Sequence, residues 1–332
     1  MNYDSLWGSS EGFMDVSGRL YVSVRLSVGV FCQCRPSVLR DHREVLEDLE
    51  SDLRQCFRVL PKSVHSLLRR TKIWVNDEFI YGPLQKPILL RHLTTHHHES
   101  WLEWARDTPH KVHGIEIYSA SEYRRMRLHW NGCGLLLHEI CHLIHQHVLG
   151  LENPRVQQDH RRAEDSGLYE NMLRRDWVGK EVESDLAYAM VDYKEFFAEL
   201  SVAYLSCGYP ELDKAVPSTV ESCCPVLMEP KVISRVLESN PSSRLVPVST
   251  KPPIYPMPWL AFLAGLLSRR RPPEHCNKFY PFTCGQLKCH DPQGWQETHR
   301  LWQNIADWHD PENDCHCCKR PIPIYQDDTV VL

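Results

Sequence analysis

The chain has 332 residues, of which 42% are hydrophobic and 24% are charged. These proportions are typical of a globular protein and exclude wholesale disorder. The formal charge is −5, whereas a protein that mainly neutralises phosphates carries an excess of basic residues, so nucleic acid is not an expected partner. The 19 His and 14 Cys residues direct the search for function towards metal chemistry.

The start of the chain lacks the features of a targeting segment. No basic region followed by an apolar run is present there, and no apolar stretch elsewhere reaches the ~18 residues of a membrane span. We therefore expect an intracellular, cytoplasmic protein that does not enter a membrane and whose cysteines are reduced. The sequence does not indicate an oligomeric state.

The first part of the chain shows both alternating and helical apolar patterns. Residues 1–18 are polar and rich in Gly and Ser, which predicts a loose N-terminal tail. Beyond the tail, the patterns predict strands at 20–31, 72–75 and 112–118 and helices at 41–60 and 98–106. We interpret the strand at 112–118 as an edge strand that would hold an extended peptide by main-chain hydrogen bonds.

Helical patterns dominate the residues that follow. They predict helices at 135–149, 161–176 and 192–206, and Gly208 stops the last of them. Because strands and helices both occur without strict alternation, the sequence predicts an α+β domain over residues 19–210.

The composition changes in the C-terminal part. Residues 211–273 are rich in proline and are predicted to form a loop-rich elaboration or linker. Residues 274–332 are aromatic and rich in Cys and His, include a predicted helix at 297–308, and are expected to pack on the main domain. This Cys/His cluster is a candidate for a second, structural zinc site, although only Cys315 and Cys318 have CxxC spacing. Ordinary thiols are the alternative.

The most informative motif is HExxH, formed by His138, Glu139 and His142 within the predicted helix at 135–149. On a helix the two histidines lie one turn apart on the same face, so both imidazoles can bind one ion. Catalytic zinc has three protein ligands and an open position at which it activates a water. Glu139 can accept the proton from that water. The alternative is a histidine-rich core helix without a metal.

A third ligand must come from elsewhere in the chain. The pattern that takes a histidine ten residues after the first one fails, because Val148 occupies that position. The predicted helix at 192–206 instead offers Glu195 and Glu199, four residues apart on one face. Glu195 could ligate the metal while Glu199 orients a ligating histidine. In the alternative interpretation, Glu195 belongs to a capping box that begins at Asp192.

The run YAMVDYKEFFAE, from Tyr188 to Glu199, resembles the second metal-site segment of the lethal-factor-type gluzincins. In that family an HExxH motif is followed, after a long segment, by a Tyr seven residues before an EFFAE ligand helix. The same elements occur here in the same order and spacing, over about residues 135–205. This resemblance implies a zincin-like fold, in which a small mixed sheet packs on the HExxH helix and a second ligand helix.

The resemblance also implies a role for each residue of these motifs. One zinc ion would be bound by two histidines and a glutamate, namely His138, His142 and Glu195. Glu139 would be the general base, Tyr188 the hydroxyl that stabilises the oxyanion, and Glu199 the carboxylate that orients a ligand. The wider chain resembles a group of zincin-like proteins from eukaryotic microbes, through stretches such as HWNGCGLLLHEICHLIHQHVLG and NKFYPFTCGQLKCHDP.

Together these observations predict a zinc metallopeptidase that hydrolyses a peptide or protein substrate. Two alternatives remain open at this point. The first is a zincin-like protein that binds zinc without catalysis, and the second is an interaction module built on the C-terminal Cys/His cluster. Neither the motifs nor the resemblance indicates a cleavage specificity.

Overall fold

The computed structural model describes residues 12–15, 18–78, 80–81, 86–87, 93–176, 181–183, 186–206 and 275–313. The described residues belong to one compact unit. The predicted linker at 211–273 and the CxxC pair at Cys315 and Cys318 lie outside them, as does most of the predicted tail. Residues 12–14 of that tail form the first strand of the main sheet.

Strands and helices are mixed along the chain, which confirms an α+β fold. The strands are β1 (Gly12–Met14), β2 (Leu20–Arg25), β3 (Phe31–Cys34), β4 (Lys72–Val75), β5 (Ile80–Tyr81), β6 (Lys86–Pro87), β7 (Leu93–Thr95), β8 (Ile115–Ile117), β9 (Leu173–Arg175) and β10 (Glu181–Glu183). The helices are α1 (Pro36–Asp41), α2 (Glu44–Val59), α3 (His65–Arg70), α4 (Glu99–Ala105), α5 (Ala120–Met126), α6 (Gly134–Ile144), α7 (Pro154–Ser166), α8 (Tyr193–Leu205), α9 (Cys284–His290) and α10 (Pro292–Ala306). Within the described residues, none of the helices combines the length and apolarity that crossing a membrane requires.

Six strands form a mixed sheet in the order β1-β2-β3-β4-β8-β7. The strands β3, β4 and β8 are parallel to one another, whereas β7 runs antiparallel to β8 and ends the sheet. The edge-strand interpretation of residues 112–118 was therefore wrong, because β8 lies between β4 and β7 and all three of its residues are buried. The edge strand next to β8 is β7, a three-residue strand that local patterns did not predict.

The helix that carries the HExxH motif packs on one face of this sheet. Every residue of α6 is buried, and Ile115 and Ile117 of β8 belong to the same hydrophobic core. The neighbouring helix α8 packs against α6 and buries every residue from Glu195 to Leu205. Because α6 is apolar on most sides, it must pack against other elements on most sides, and the sheet and α8 provide this packing. The few polar side chains of α6 and α8 are consequently enclosed together.

The C-terminal helices pack on the same core. Trp302 of α10 stacks on Phe197 of α8, with ring centroids 6.3 Å apart. Upstream, the main chain of Cys276 passes the start of α6 so closely that a Cβ at Gly134 would lie 2.7 Å from its carbonyl oxygen. Glycine is therefore required at the first position of α6, and residues 275–313 contribute to the surroundings of the HExxH helix.

Most of the predicted helices are confirmed, but the one predicted at 161–176 was wrong in its second half. The helix α7 begins earlier, because Asn153 caps it with its side chain and a proline occupies the first turn. It ends at Gly167, which adopts a φ of +65°. Residues 173–175 then form β9. The Asn-Pro start and the glycine stop outweighed the charged periodicity on which the prediction depended.

A buried ion-pair network lies on the face of the sheet opposite α6. The ammonium of Lys111 contacts the carboxylates of Asp107, at 2.7 Å, and Glu116. His96 Nε2 lies 2.7 Å from Glu116 Oε2. Burial disfavours the ionised form of Glu116, but Lys111 and His96 outweigh that effect and lower its pKa to about 2. Because His96 directly follows β7, the network ties the edge strand to β8.

Replacing Lys111 with Met is expected to lower the free energy of unfolding by about 3–5 kcal/mol at neutral pH, because the buried carboxylates of Asp107 and Glu116 lose the ammonium that they share. The pKa of Glu116 is lowered from 4.5 to about 2 on folding, so its ionised form stabilises the protein above the unfolded-state pKa. That contribution disappears as the pH falls towards 2. The cost of Lys111→Met should therefore shrink in acid.

Chemical denaturation at neutral and acidic pH measures this difference. The control is Lys72→Met, which removes an exposed lysine from β4 and is expected to change the free energy of unfolding by no more than about 0.5 kcal/mol. A loss in Lys111→Met that is equal at both pH values would contradict the electrostatic explanation and indicate a packing effect.

Candidate metal centre

Three side chains from α6 and α8 meet in a buried cluster. His138 and His142 lie one turn apart on α6, and Glu195 lies in the first turn of α8. His138 Nε2 lies 3.1 Å from His142 Nε2 and 3.0 Å from Glu195 Oε2. His142 Nε2 lies 3.3 Å from the same carboxylate oxygen. Among the residues that the structure describes, no other group of three such side chains could hold a metal ion.

The spacing of these three atoms fits a tetrahedral ion. Ligand atoms bound at 2.0–2.1 Å around such an ion lie roughly 3.3 Å from one another. The separations of 3.0–3.3 Å in the cluster are close to that value. A shared cation also explains why two imidazole nitrogens, each able to act as an acceptor, converge on one carboxylate oxygen.

Electrostatics in the cluster favours a positive charge. Burial disfavours a charged imidazole, but the carboxylates of Glu195 and Glu199 outweigh it and raise the pKa of His138 to about 10. Burial would also raise the pKa of Glu195, yet His138 and His142 lower it well below its usual range. A divalent cation satisfies the same demand and leaves the histidines neutral, as metal ligands must be.

The start of α8 directs Glu195 towards the histidines. Asp192 caps the helix, because its side chain accepts hydrogen bonds from the backbone N–H groups of Lys194 and Glu195. The carboxylate of Glu195 points into the cluster, where Oε1 also accepts a hydrogen bond from the Tyr188 hydroxyl at 3.2 Å. The capping role thus belongs to Asp192, and the position of Glu195 favours the ligand interpretation.

Glu199 lies one turn after Glu195 on α8, on the opposite side of the His138 imidazole. It is fully buried, and its Oε1 lies 3.3 Å from His138 Nδ1. A carboxylate on the far nitrogen fixes the tautomer and the orientation of a metal-binding histidine. Glu199 therefore has the position that its predicted orienting role requires.

Glu139 lies beside the cluster and is held by a residue that the sequence analysis did not select. Thr95 Oγ1, on β7, lies 2.9 Å from Glu139 Oε2 and 2.9 Å from the Glu139 carbonyl oxygen. Both side chains are buried. Because β7 is an edge strand, this contact fixes the carboxylate at the edge of the sheet, where Glu139 lines the same cavity as the three candidate ligands.

A cavity of about 530 Å³ opens onto the cluster, a volume typical of sites for small ligands. Its walls include all the residues selected from the sequence, namely His138, Glu139, His142, Tyr188, Glu195 and Glu199. Further parts of the wall come from β7 with His97 and from Lys278 and Phe279 of the C-terminal segment. The only sequence signal for these two C-terminal residues was the stretch that begins NKFYPF.

Tyr188 places its phenol next to a candidate ligand. Its hydroxyl donates to Glu195, and its ring stacks on Phe279 with centroids 6.4 Å apart and planes inclined by 18°. The ring centroid lies 6.3 Å from that of His138. The hydroxyl therefore faces the cavity near the cluster, where it can donate to an oxygen of a bound molecule.

In the described part of the C-terminal Cys/His cluster, side chains form hydrogen bonds with other protein groups. Cys284 Sγ accepts a hydrogen bond from Trp295 Nε1 at 3.4 Å, and His290 Nε2 lies 2.7 Å from the carbonyl oxygen of Leu168. These side chains do not form a group of metal ligands with other described residues. Since Cys315 and Cys318 lie outside the described residues, a second zinc site stays a prediction.

No protein-family model, curated protein or solved structure matches the chain. Function is therefore inferred from the residues of the site. They combine a group that could hold a metal ion, a carboxylate beside it that is not one of the three ligands, a hydroxyl and a cavity at the edge of a sheet. These are the components that metal-assisted hydrolysis requires.

Proposed function

We propose that this protein is a zinc-dependent metallopeptidase of the gluzincin type that hydrolyses peptide bonds. The observation that carries the proposal is the convergence of His138, His142 and Glu195 on one point, with Glu139 beside it at the wall of an open cavity. Two nitrogen ligands and one oxygen ligand, with space for a fourth, form a donor set that suits catalytic zinc.

We also propose that the α+β fold is zincin-like. A mixed sheet packs on the HExxH helix, and a second helix delivers the third ligand. This arrangement agrees with the fold that the resemblance to lethal-factor-type gluzincins implies. The antiparallel edge strand β7 runs along the cavity, so that a peptide can lie beside it.

Each residue of the site has a separate task in the proposed reaction. When bound, zinc supplies Lewis acidity that activates a water and polarises a carbonyl. Glu139 accepts the proton of the attacking water and later gives a proton to the leaving amine. Thr95 keeps the Glu139 carboxylate in place, and the Tyr188 hydroxyl donates to the carbonyl oxygen as negative charge develops on it.

The edge strand β7 is suited to binding the substrate main chain. It is the last strand of the sheet formed by the described residues, so the edge facing away from β8 has no strand beside it there. An extended peptide can add to such an edge by main-chain hydrogen bonds. A peptide that binds in this way would have its scissile carbonyl between β7 and Tyr188, within reach of Glu139.

Zinc content and peptide hydrolysis test the proposal together. The purified protein is expected to contain one tightly bound zinc, to hydrolyse members of a mixed peptide library, to lose activity with a chelator and to regain it with added zinc. His138→Ala or Glu195→Ala should remove the ion and lower the melting temperature, because metal-binding energy contributes to folding.

The matched control is His147→Ala, which removes an exposed histidine from the π-helical segment His145–Leu149 that continues α6 and should leave zinc content unchanged. Full zinc content in Glu195→Ala would contradict the ligand assignment. A zinc-loaded wild-type protein that hydrolyses no peptide would instead favour a zincin-like protein without catalysis.

A further inference from the structure

A lysine from the C-terminal segment lines the cavity on the side of Tyr188. Lys278 is half-buried, and its ammonium lies over the ring of Phe279, 5.5 Å from the ring centroid. Phe279 in turn stacks on Tyr188, whose hydroxyl contacts Glu195. The stacked rings of Phe279 and Tyr188 therefore connect the ammonium of Lys278 to Glu195, a candidate metal ligand.

The main chain around Lys278 is fixed by its pairing with β9. The backbone N–H of Arg175 donates to the Lys278 carbonyl oxygen at 2.9 Å, and that of Tyr280 donates to Leu173 at 2.8 Å. These bonds place residues 278–280 beside β9 like a further strand. The position of Lys278 in the cavity wall is consequently determined by the fold.

Among the described residues, the charge of Glu199 acts on the ammonium of Lys278, but no carboxylate is in contact with it. It forms no hydrogen bond or ion pair with them, whereas the other lysine in the cavity wall, Lys194, lies 3.7 Å from Asp192 Oδ2. Burial lowers the pKa of Lys278 from its ordinary value, and the charge of Glu199 offsets this only in part. This is the behaviour of an ammonium that has lost water without gaining a carboxylate contact.

The acidic side chains of the cavity are directed to other groups. Glu195 and Glu199 lie 3.0 Å and 3.3 Å from the two nitrogens of His138, and Glu139 accepts a hydrogen bond from β7 at 2.9 Å. In the proposed reaction these carboxylates bind the metal, orient a ligand and accept a proton. None of these carboxylates of the described residues forms an ion pair with Lys278, so a bound molecule that carries a carboxylate can do so.

We propose that Lys278 binds a carboxylate of the substrate close to the scissile bond, so that the enzyme prefers acidic peptides. The inference rests on the proposed peptidase function and adds a substrate class to it. A half-buried ammonium and a carboxylate form a strong, charge-assisted hydrogen bond. The carboxylate belongs either to an internal Asp or Glu side chain or to the C-terminus of the substrate.

Three sets of peptides with one parent sequence test this site. The first set has Glu at each internal position in turn and an amidated C-terminus. The second has Gln at those positions and a free C-terminal carboxylate at varying distance, and the third has Gln and an amidated C-terminus. We expect kcat/KM for the best peptides of the first or second set to exceed that of the third by about 10- to 100-fold.

Variants of Lys278 assign that preference to its side chain. Lys278→Gln should abolish the preference, so that kcat/KM for the acidic sets falls to that for the neutral set in the same variant, whereas Lys278→Arg should retain the preference. The matched control is Lys288→Gln, which removes an exposed lysine of α9 outside the cavity and should change neither rate. Zinc content and circular dichroism identify any variant that has lost its fold.

Binding is measured separately, so that failure of the two proposals can be distinguished. Titration calorimetry with the zinc-loaded Glu139→Gln protein should show about 10- to 100-fold tighter binding of the preferred acidic peptide than of its neutral isostere, and Lys278→Gln in that background should remove the difference. A preference that persists in folded Lys278→Gln, or no preference at all, would overturn the carboxylate site but not the peptidase. Lys278-dependent binding without any hydrolysis would overturn the peptidase but not the carboxylate site.

Discussion

Replacing Glu139 with Gln is expected to lower the rate of peptide hydrolysis by about 10²–10⁴-fold, the range typical of losing a general base. Glutamine has the shape of glutamate and can still accept the hydrogen bond from Thr95, but it cannot take a proton from water. The three candidate ligand atoms belong to other residues, so zinc content should stay at the wild-type level. The loss should appear in kcat, because the residue acts on the attacking water.

The measurement combines steady-state kinetics with metal analysis of the same preparation. Glu103→Gln, at an exposed position of α4, is the matched control and should retain both activity and zinc. Unchanged turnover in a zinc-loaded Glu139→Gln protein would remove Glu139 from the mechanism. A loss of zinc in that variant would indicate that Glu139 supports the metal site rather than the chemistry.

Local patterns predicted much of the fold because the elements concerned carry their own signals. The strand at 72–75 has the predicted bounds, and α8 follows the predicted helix at 192–206 within a residue or so. The strand predicted at 20–31 is instead two strands, joined at Gly29, whose φ is +84°. A glycine inside an alternating pattern is a signal for such a turn, and it was outweighed by the alternation on both sides.

Sheet order could not be read from the same patterns. The edge position of β7 depends on pairing between residues that are about twenty positions apart in the chain, Leu93 with Ile117 and Thr95 with Ile115. No local periodicity records such pairing, and a strand of three residues is too short to show an alternation. The contact between Thr95 and Glu139 follows from this pairing, which explains why Thr95 was not selected as a site residue.

Some features of the site follow from local spacing in the sequence, whereas others depend on tertiary packing. The helical period alone brings His138 and His142 together, and the four-residue spacing on α8 sets Glu195 and Glu199 on one face. The packing of α6 on α8, which brings the two pairs within 3.3 Å, is a tertiary contact. The resemblance to a known family implies this contact, whereas periodicity does not.

Neither local patterns nor the family resemblance identified Lys278 as a site residue. It lies more than seventy residues after α8 in the chain and reaches the cavity only because its segment pairs with β9. A single lysine in an aromatic stretch carries no motif, and its lack of a carboxylate contact among the described residues is visible only in the folded chain. Residues that determine specificity are often of this kind, because they belong to loops that the scaffold positions.

Replacing Tyr188 with Phe is expected to lower kcat by about 10²–10³-fold, which is the usual effect of removing one donor to a developing oxyanion. The phenylalanine ring keeps the stacking on Phe279, so the fold should be preserved. Because the hydrogen bond strengthens only as charge appears on the carbonyl oxygen, kcat should fall more than KM rises.

The contact between Tyr188 and Glu195 allows a second explanation for a loss of activity in Tyr188→Phe. The hydroxyl donates to Glu195 Oε1 at 3.2 Å, so it could act only by holding a metal ligand in place. In that case Tyr188→Phe would weaken zinc binding, and saturating zinc would restore kcat. Measuring kcat over a range of free zinc concentrations separates the two roles, since loss of an oxyanion donor persists in the fully zinc-loaded protein. A variant that regains wild-type kcat with added zinc would make Tyr188 a support for Glu195 and leave charge stabilisation in the transition state to the metal.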